Sequence, residues 1–435
     1  MTSDLYISIR SRLHDLIAGS IFEGKVYFVG GCCRDEIMGV EIKDIDIAVA
    51  MRDGGILLAE WLKSEGFALA DIVTFPEYGI AQFRLADYPD IELEAVNTRK
   101  ESYPDPASRN PVTEYGTLEQ DCLRRDLTIN ALYYDITEMC FVDVTGKGLA
   151  DIRDQVVRTP VDPDRVYYED PLRILRCIRF ATRFGWEIES GTYAAMKRNV
   201  YRMEILSQER LKDEFSMMIQ SENCAKAVEL LRDCGCLDYI LPEVPHDAIS
   251  LKTLQMLDTV SSYTSDLFVR LSAVLSYGSR YVQPIMKRMM FHADEIRKVQ
   301  FLVSHCNDCK HWGPLCEYMS DSSLRRLQYH CEDIGRFKEL LMLVHAENVS
   351  CVSGKLWHHQ AALIYKKTEE MIADGTSMFG FTSFLSGRDV MSILGIGPGP
   401  EVKSCLDYLL ELAFDDPTMP QDLVINRLRQ YKNKR

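Results

Sequence analysis

The chain is organised around one stretch, Val26-Tyr27-Phe28-Val29-Gly30-Gly31-Cys32-Cys33-Arg34-Asp35. Its first four residues form an apolar run of the length of a buried strand, and the two glycines that follow predict a tight turn. Glycine lets the backbone approach a ligand closely, and N–H groups in such a turn can point at phosphate oxygens. Arg34 adds a guanidinium that suits the same phosphates. We therefore predict a phosphate-binding turn at Gly30 and Gly31.

A second predicted strand, Lys43-Asp44-Ile45-Asp46-Ile47-Ala48-Val49, carries a pair of acidic residues. Residues two apart on a strand face the same way, so Asp44 and Asp46 are expected to project together. Two adjacent carboxylates repel each other unless a cation lies between them, and Mg²⁺ prefers oxygen ligands of this kind. Together with the glycine turn, this pair predicts a nucleotidyl-transfer site in which Asp44 and Asp46 hold magnesium.

The joint pattern resembles the bacterial-type (class II) tRNA nucleotidyltransferases, or CCA-adding enzymes, and the related poly(A) polymerases. Gly-Gly-x-x-Arg-Asp at 30–35 and Asp-Ile-Asp-Ile at 44–47 carry the resemblance, and later segments extend it over most of the chain. It implies an α/β nucleotidyltransferase head, a small mixed sheet with helices, followed by an all-helical neck, body and tail. The implied reaction is template-independent transfer of CMP or AMP from CTP or ATP to the 3′ end of tRNA, with release of pyrophosphate. Mg²⁺ is the implied cofactor.

The predicted strand 91–96 supplies a candidate third carboxylate. Glu92 and Glu94 lie on one of its faces. The resemblance places a catalytic acid on this strand five residues before an arginine, and Glu94 and Arg99 have that spacing. The alternative is a pair of glutamates on a solvated strand face. The polar run from Arg99 to Asp121, which contains three prolines, is predicted to be irregular.

The string Arg124-Arg125-Asp126-Leu127-Thr128-Ile129-Asn130-Ala131-Leu132 is the next specific motif. Its apolar residues predict burial and leave the polar ones for contacts. The resemblance assigns triphosphate and ribose contacts to four of them: Arg124, Arg125, Asp126 and Asn130. The alternative is the charged start of a helix, with Asp126 supporting its first turn.

The stretch 169–181 predicts an amphipathic helix that begins at Pro171 and ends near Gly185. Polar residues recur at intervals of three along one side, namely Asp170, Arg173, Arg176 and Arg179. The string resembles the nucleotide-selecting motif of the family, which implies nucleotide contacts for all four. The structural alternative makes Asp170 a helix cap and the arginines a solvated stripe.

Hydrogen-bond chemistry explains how Asp170 and Arg173 could select a base. A carboxylate only accepts, and a guanidinium only donates. Asp170 could accept from the exocyclic amino group of cytosine or adenine, while Arg173 donates to the neighbouring ring position. Uracil and guanine present a carbonyl oxygen instead of the amino group and would be repelled.

The length of 435 residues is too great for one ordinary core. We predict four domains: 1–158, the head; 159–225, the helical neck with the selecting helix; 226–365, a helical body; and 366–435, a helical tail that binds tRNA. Some relatives carry a metal-dependent phosphohydrolase body, marked by a histidine and a later His-Asp pair. Here Lys252-Thr253 and Leu275-Ser276 stand at the matching places, so the body is predicted to be a degenerate form without hydrolytic metal.

Composition limits the class of protein. A formal net charge of −15 argues against indiscriminate nucleic-acid binding, yet five arginines lie between Arg165 and Phe184. No apolar run has the length of a membrane span, and residues 1–24 predict an amphipathic helix, with Leu5, Ile9 and Leu13 at helical spacing, instead of an export signal. The fourteen cysteines show no framework spacing, which predicts reduced thiols and a cytoplasmic protein.

Several alternatives stay open. A poly(A) polymerase, a CC-only enzyme or an A-only enzyme would share nearly all of these residues, and an inactive RNA-binding relative is the alternative of another class. The segment His305-Cys306-Asn307-Asp308-Cys309-Lys310-His311 has ligand types that zinc binds, but no second Cys-x-x-Cys closes the site, and buried free thiols are the favoured interpretation.

Overall fold

The computed structural model describes residues 3–105, 111–245, 247–309, 320–331, 333–350 and 357–433. The chain forms two compact units, Met1–Pro242 and Glu243–Arg435. This boundary falls inside the predicted body at 226–365, and the division into four domains stays a prediction.

All strands that the structure describes lie in the first unit. In chain order they are β1 (Val26–Val29), β2 (Ile45–Val49), β3 (Val73–Phe75), β4 (Ile80–Arg84), β5 (Glu92–Asn97), β6 (Arg99–Ser102), β7 (Val112–Tyr115), β8 (Tyr133–Asp135), β9 (Cys140–Val142), β10 (Val156–Val157) and β11 (Glu187–Ile188). Seven of them form one mixed sheet in the order β3-β4-β5-β2-β1-β8-β9, while β6 pairs with β7 and β10 with β11.

The helices of the first unit surround and follow this sheet. They are α1 (Ser3–Ile17), α2 (Gly31–Met38), α3 (Gly54–Ser64), α4 (Leu118–Leu123), α5 (Gly148–Asp154), α6 (Pro163–Glu169), α7 (Leu172–Phe184), α8 (Ser190–Asn199), α9 (Gln208–Gln220), α10 (Cys224–Asp233) and α11 (Leu237–Ile240). The predicted fold class, a mixed-sheet head followed by helices, is confirmed. The neck departs from the all-helical prediction only in β11, which pairs in parallel with β10.

The first helix is amphipathic, as its sequence predicts. Tyr6, Ile9, Leu13 and Ile17 are buried along one face of α1. The ring of Tyr6 lies 5.4 Å from that of Phe28 in β1, centroid to centroid. Burial of this apolar face holds α1 against β1 of the head sheet.

The register of the sheet brings the two acidic strands together. β2 and β5 are parallel, and Asp46 pairs with Glu94. β1 is antiparallel to β2 on its other side, with Val29 opposite Asp46. α3 packs closely on β5, since a Cβ at Gly55 would lie 2.3 Å from the carbonyl oxygen of Ala95. The end of β1, the acid of β2 and the acid of β5 therefore meet at one place on the sheet.

The predicted selecting helix is α7. Pro171 precedes its first residue, and Gly185, with a φ of 69°, ends it by donating its N–H to the carbonyl of Ala181. α7 packs against α9 and α10. Its ends therefore follow the proline and glycine signals in the sequence.

The prediction of irregular chain from Arg99 to Asp121 is wrong in part. β6 and β7 pair antiparallel, with Arg99 opposite Tyr115 and Ser102 opposite Val112. α4 follows with a capping box at its start, because Thr117 and Gln120 bond each other's backbone N–H groups. Residues 106–110 of this segment lie outside the described ranges.

The second unit is helical over its described residues. Its helices are α12 (Leu251–Ser261), α13 (Leu267–Val274), α14 (Val282–Arg288), α15 (Ala293–Cys309), α16 (Asp321–Cys331), α17 (Ile334–Val349), α18 (Trp357–Ala373), α19 (Gly387–Leu394), α20 (Pro400–Asp415) and α21 (Gln421–Asn433). The last three share a core that includes Val390, Leu409 and Leu428. Over the ranges described, no helix is long and apolar enough to cross a membrane.

The place where relatives carry a phosphohydrolase histidine holds an ion pair. Nζ of Lys252 donates to Oε1 of Glu347 on α17 at 2.5 Å. Thr253 donates its hydroxyl to the carbonyl of Ala248. Both side chains are thus engaged within the helical packing of this unit.

Candidate active site

The turn after β1 requires glycine at position 30. Its φ is 77° and its ψ −123°, a backbone conformation that residues with a Cβ rarely adopt. A Cβ there would lie 3.5 Å from Nη1 of Arg125 and 4.0 Å from Oδ2 of Asp46. α2 begins directly afterwards at Gly31, and the first N–H groups of a helix have no acceptor within it. The predicted phosphate turn thus lies beside a carboxylate and a guanidinium.

Asp46 faces Glu94 on the neighbouring strand. Partial desolvation, the charge of Glu94 and the charge of Asp44 raise the pKa of Asp46 to about 6, while Arg125 opposes the shift. Oε2 of Glu94 accepts a hydrogen bond from Nε2 of Gln82 on β4 at 2.9 Å. Asp44 lies one residue before β2 begins. Negative charge therefore accumulates at this edge without a full counter-charge.

Asp44 and Asp46 fit a magnesium ion of the kind held by one or two carboxylates and substrate phosphates. The raised pKa of Asp46 is the expected state of an acid that is desolvated beside like charges. Among the described residues, no group of three or more histidine, cysteine, aspartate or glutamate side chains is arranged to hold a metal ion. Glu94 as a third catalytic carboxylate accordingly stays a prediction.

Arg34 is buried, with 4% of its surface exposed. Its Nε donates to Oδ1 of Asp35 at 2.8 Å, and its Nη1 donates to Oδ1 of Asn130. The guanidinium carbon lies 5.2 Å from the ring centroids of both Phe180 and Phe184. These partners join α2 to α7, so this placement favours a bracing role. The predicted phosphate contact of Arg34 would require the side chain to leave these partners.

Arg124 and Arg125 are fixed by one carboxylate, Asp121, which is fully buried. It accepts from Nη2 of Arg124 at 2.7 Å and from Nη2 of Arg125 at 2.9 Å. The hydroxyl of Tyr133 donates to it at 2.7 Å, and the backbone N–H of Arg99 at 3.2 Å. Burial alone would raise the pKa of Asp121, but the charges of Arg125 and Arg124 hold it well below its usual range. An ionised Asp121 thus sets the direction of both arginines.

A second buried carboxylate, Glu101 on β6, connects further cations. Its side chain is 5% exposed. It accepts hydrogen bonds from Nε of Arg99 at 3.1 Å, Nη1 of Arg124 at 3.0 Å and the hydroxyl of Tyr103 at 2.9 Å. It also lies 3.6 Å from Nη2 of Arg173. β6 therefore links the arginines of the head to α7.

Asp126 makes its bonds inside the protein. Its Oδ2 accepts from Nε of Arg176 at 2.7 Å, and its Oδ1 accepts from Nδ2 of Asn130 at 3.1 Å. Burial would raise the pKa of Asp126, but the charge of Arg176 lowers it to about 2. Because Asn130 also accepts from Arg34, five residues form one hydrogen-bonded series from α2 to α7, which we name the α2–α7 chain: Asp35, Arg34, Asn130, Asp126 and Arg176.

A cleft of about 340 Å³ lies against these groups. β6, the segment after α4, α7 and α9 supply its lining. The residues are Arg99, Glu101, Tyr103, Pro111, Arg124, Arg125, Asp126, Asp170, Leu172, Arg173, Arg176 and Arg210. The structure therefore brings the Arg124–Asp126 segment and the predicted selecting pair into one cavity, although they are far apart in the sequence.

Asp170 and Arg173 both line this cleft, but they differ in their hydrogen bonds. Oδ1 of Asp170 accepts from the backbone N–H of Leu172 at 3.1 Å, so the capping bond of the structural alternative is present. Arg173 is buried, and its Nη2 lies 3.3 Å from the hydroxyl of Tyr103. Its Nη1 is buried without a hydrogen-bond acceptor among the described residues. A buried, unsatisfied donor is unfavourable, which makes Nη1 suited to an acceptor on a ligand.

The structure does not place Arg179 in the lining of the cleft. Its Nε donates to Oε2 of Glu214 on α9 at 2.7 Å, and its guanidinium carbon lies 4.5 Å from the ring centroid of Phe180. The nucleotide contact that the resemblance implies for Arg179 stays a prediction. Its observed role is to join α7 to α9.

Sequence reasoning missed three residues of this site. Asp121 precedes the two arginines by three and four positions, the spacing of helical ion pairs, and could have been found from that signal. Glu101 gives no such signal, because Arg124 and Arg173 lie in distant segments, and Arg210 gives none, because only the packing of α9 brings it to the cleft. The zinc hypothesis is untested, since His311 falls outside the described residues. Within them, Cys306 is buried and Nδ1 of His305 lies 3.0 Å from the carbonyl oxygen of Phe301.

Comparison with known proteins gives one consistent result. The Poly A polymerase head domain matches residues 26–158, and the probable RNA- and SrmB-binding site of polymerase A matches residues 185–247. A tRNA nucleotidyltransferase of Schizosaccharomyces pombe is 25% identical over 441 residues, covering 90% of each chain. The multifunctional CCA protein of Neisseria gonorrhoeae is 34% identical over 225 residues, covering 51% of this chain and 50% of that protein.

The fold has a full-length counterpart. The crystal structure of the Bacillus stearothermophilus CCA-adding enzyme in complex with CTP matches with a TM-score of 0.72, at 18% identity, over 100% of each chain. At this identity the likeness shows the fold. Together with the two domain matches and the full-length relative, it shows that the chain is similar to the tRNA nucleotidyltransferases and poly(A) polymerases along most of its length.

Proposed function

We propose that this protein transfers CMP and AMP from CTP and ATP to the 3′-hydroxyl of tRNA, without a template, and releases pyrophosphate. The observation that carries the proposal is the single cleft shared by Asp170, Arg173 and the Arg124–Asp126 segment. A base-reading pair and a set of cations for phosphates are what such a reaction needs in one place. The name of the S. pombe relative supports tRNA as the acceptor.

Asp44 and Asp46 are the proposed magnesium ligands. The ions, two in the expected mechanism, would lower the pKa of the attacking 3′-hydroxyl and offset charge on the leaving pyrophosphate. The protein groups then position the nucleotide. The N–H groups at Gly31 and the guanidinium of Arg125 would bind the triphosphate, and the nearness of Arg125 to Gly30 and Asp46 supports this assignment. Asp121 holds Arg125 in that direction.

Base choice is assigned to Asp170 and Arg173. Asp170 would accept from the exocyclic amino group of cytosine or adenine, and Nη1 of Arg173 would donate to the adjacent ring position. This atom has no hydrogen-bond acceptor among the described residues, and Oε2 of Glu169 lies 3.8 Å from it. UTP and GTP would set a carbonyl oxygen against the Asp170 carboxylate. Two charged side chains thus take the place of a template.

The test uses the full chain, Mg²⁺ and three tRNA substrates that end at the discriminator base, in C, or in CC. Each is incubated with labelled CTP, ATP, or both. We expect addition of C, C and A in turn, ending at CCA. Long runs of A on any RNA would identify a poly(A) polymerase, and activity confined to one step would identify a CC-only or A-only enzyme. Binding of tRNA without any incorporation would identify an inactive relative.

A cytoplasmic location stays a prediction.

A further inference from the structure

In the part of the chain that the structure describes, six arginines line the cleft, and five of them form ion pairs with carboxylates. Glu101, Asp121, Asp126 and Glu169 supply the partners of Arg99, Arg124, Arg125, Arg173 and Arg176. Arg210 on α9 differs. It is exposed, and over the described ranges it makes no ion pair, hydrogen bond or ring contact. Among the described residues, the cleft thus contains one guanidinium whose charge is not offset by a carboxylate partner.

The position of Arg210 is fixed by its helix. Glu214, four residues further on, accepts the bond from Arg179 of α7. Residues four apart lie on the same face of a helix, so Arg210 also belongs to the face of α9 that meets α7. It is therefore held on the α7 side of the cleft, while the exposed end of its side chain stays available.

The chemistry of the cleft identifies the ligand. An exposed guanidinium with five donors and no acceptor binds anions. The proposed reaction offers two, the triphosphate and the RNA backbone. Among the cleft arginines, Arg125 is the one that adjoins Gly30 and Asp46, and this is where a triphosphate with its metal belongs. Arg210 belongs to another helix, on the base-reading side.

We propose that Arg210 binds a backbone phosphate of the RNA strand whose 3′ end enters the cleft. The proposal rests on the proposed function only in taking RNA as the substrate. A contact of this kind orients the strand beside the base that Asp170 and Arg173 read. It contributes to RNA binding and leaves the affinity for CTP and ATP unchanged.

The test compares Arg210→Ala and Arg210→Lys with Lys212→Ala in the full chain. Lys212 is the matched control, because it is a cation two residues along the same helix and so about 200° around it. Binding of tRNA ending in CC is measured by fluorescence anisotropy in EDTA, without nucleotide, over a series of KCl concentrations. We expect Arg210→Ala to weaken binding about tenfold. The slope of log K against log salt should fall by about 0.7, the value for one phosphate of a single strand. Arg210→Lys should retain most of the affinity.

Three results would overturn the proposal: an unchanged salt slope in Arg210→Ala, an equal loss in Lys212→Ala, or a raised KM for CTP with unchanged tRNA binding. The last would assign Arg210 to the nucleotide. A melting curve of each variant separates a lost contact from a lost fold. Absence of incorporation by the wild-type chain would refute the proposed reaction, while the anisotropy still decides the role of Arg210.

Discussion

Oδ2 of Asp126 lies 2.7 Å from both Nε and Nη2 of Arg176. The two residues come from separate motifs, the segment after α4 and the helix α7. The family resemblance implies a nucleotide contact for each of the two residues, but in this structure their side chains bind each other. The pair therefore joins the segment after α4 to α7.

Asp126→Asn should destabilise the fold by about 1–3 kcal/mol in the free energy of unfolding at pH 7. Removing one partner of a fully buried ion pair destabilises a protein by more than this. The expected loss is smaller here because the side chain of Arg176 is partly exposed to solvent. The pKa of Asp126 is about 2 in the folded chain, below the value of about 3.9 for an unfolded chain. The carboxylate thus contributes its full stability above about pH 4 and loses it as the pH falls towards 2. Urea unfolding of both proteins at pH 7, 5 and 3.5 checks this, and a difference that does not shrink in acid would contradict it.

Asp46→Ala should reduce nucleotide incorporation by on the order of a thousandfold or more, because a metal ligand supplies several kcal/mol of transition-state stabilisation. Binding of tRNA should survive, since the carboxylates serve the chemistry. Glu92→Gln is the control, an acid of β5 that is paired with Arg84. Glu94→Gln then tests the third carboxylate. Activity of Glu94→Gln equal to that of the control at low Mg²⁺ would remove Glu94 from the catalytic centre.

Asp170→Asn should change base choice without changing stability. The amide oxygen of asparagine can still accept from the N–H of Leu172, so the capping bond remains. Its NH₂ group donates, however, and would meet the amino group of cytosine or adenine unfavourably. We expect kcat/KM for CTP and ATP to fall about ten- to a hundredfold, while UTP slows less or improves. Equal slowing with all four nucleotides would leave Asp170 as a cap only.

Arg34→Lys distinguishes bracing from phosphate binding. Lysine binds phosphates well as a point charge, but it cannot reproduce a planar fork that reaches Asp35 and Asn130 while it packs on Phe180. A bracing role predicts a melting temperature lowered by several degrees, as about 1–2 kcal/mol would produce, and a loss of activity with every nucleotide. Retained stability and activity in Arg34→Lys, with loss in Arg34→Ala, would instead support the phosphate contact.

The sequence predicted those parts of the site that depend on local patterns. The strand before Gly30, the turn itself and both ends of α7 follow from apolar runs, glycine and proline. Period-two alternation predicted the acidic face of each strand, but the pairing of Asp46 with Glu94 comes from the parallel register of β2 and β5.

The remaining features depend on contacts between distant segments. β6 and β7 pair only with each other, and the polar sequence of β6 shows no apolar alternation, so the strand signal was absent. The burial of Arg34 against Phe180 and the role of Glu101 likewise arise from tertiary packing. The side-chain types of Arg34 and Glu101 predicted polar contacts, but they did not predict the residues with which those contacts form.

The α2–α7 chain has a consequence for the reverse reaction. Its two ends lie at the predicted phosphate turn and at α7, the helix proposed to read the base. Any free energy of coupling that passes through Arg34, Asn130 and Asp126 must be reciprocal. If binding of a base increases the affinity for phosphate, then bound phosphate increases the affinity for that base by the same factor. If the proposed reaction runs in reverse, pyrophosphate bound at this turn would strengthen recognition of the terminal base that it releases. Pyrophosphorolysis should accordingly remove terminal A or C in preference to U or G, with the same pair of side chains reading the base that leaves.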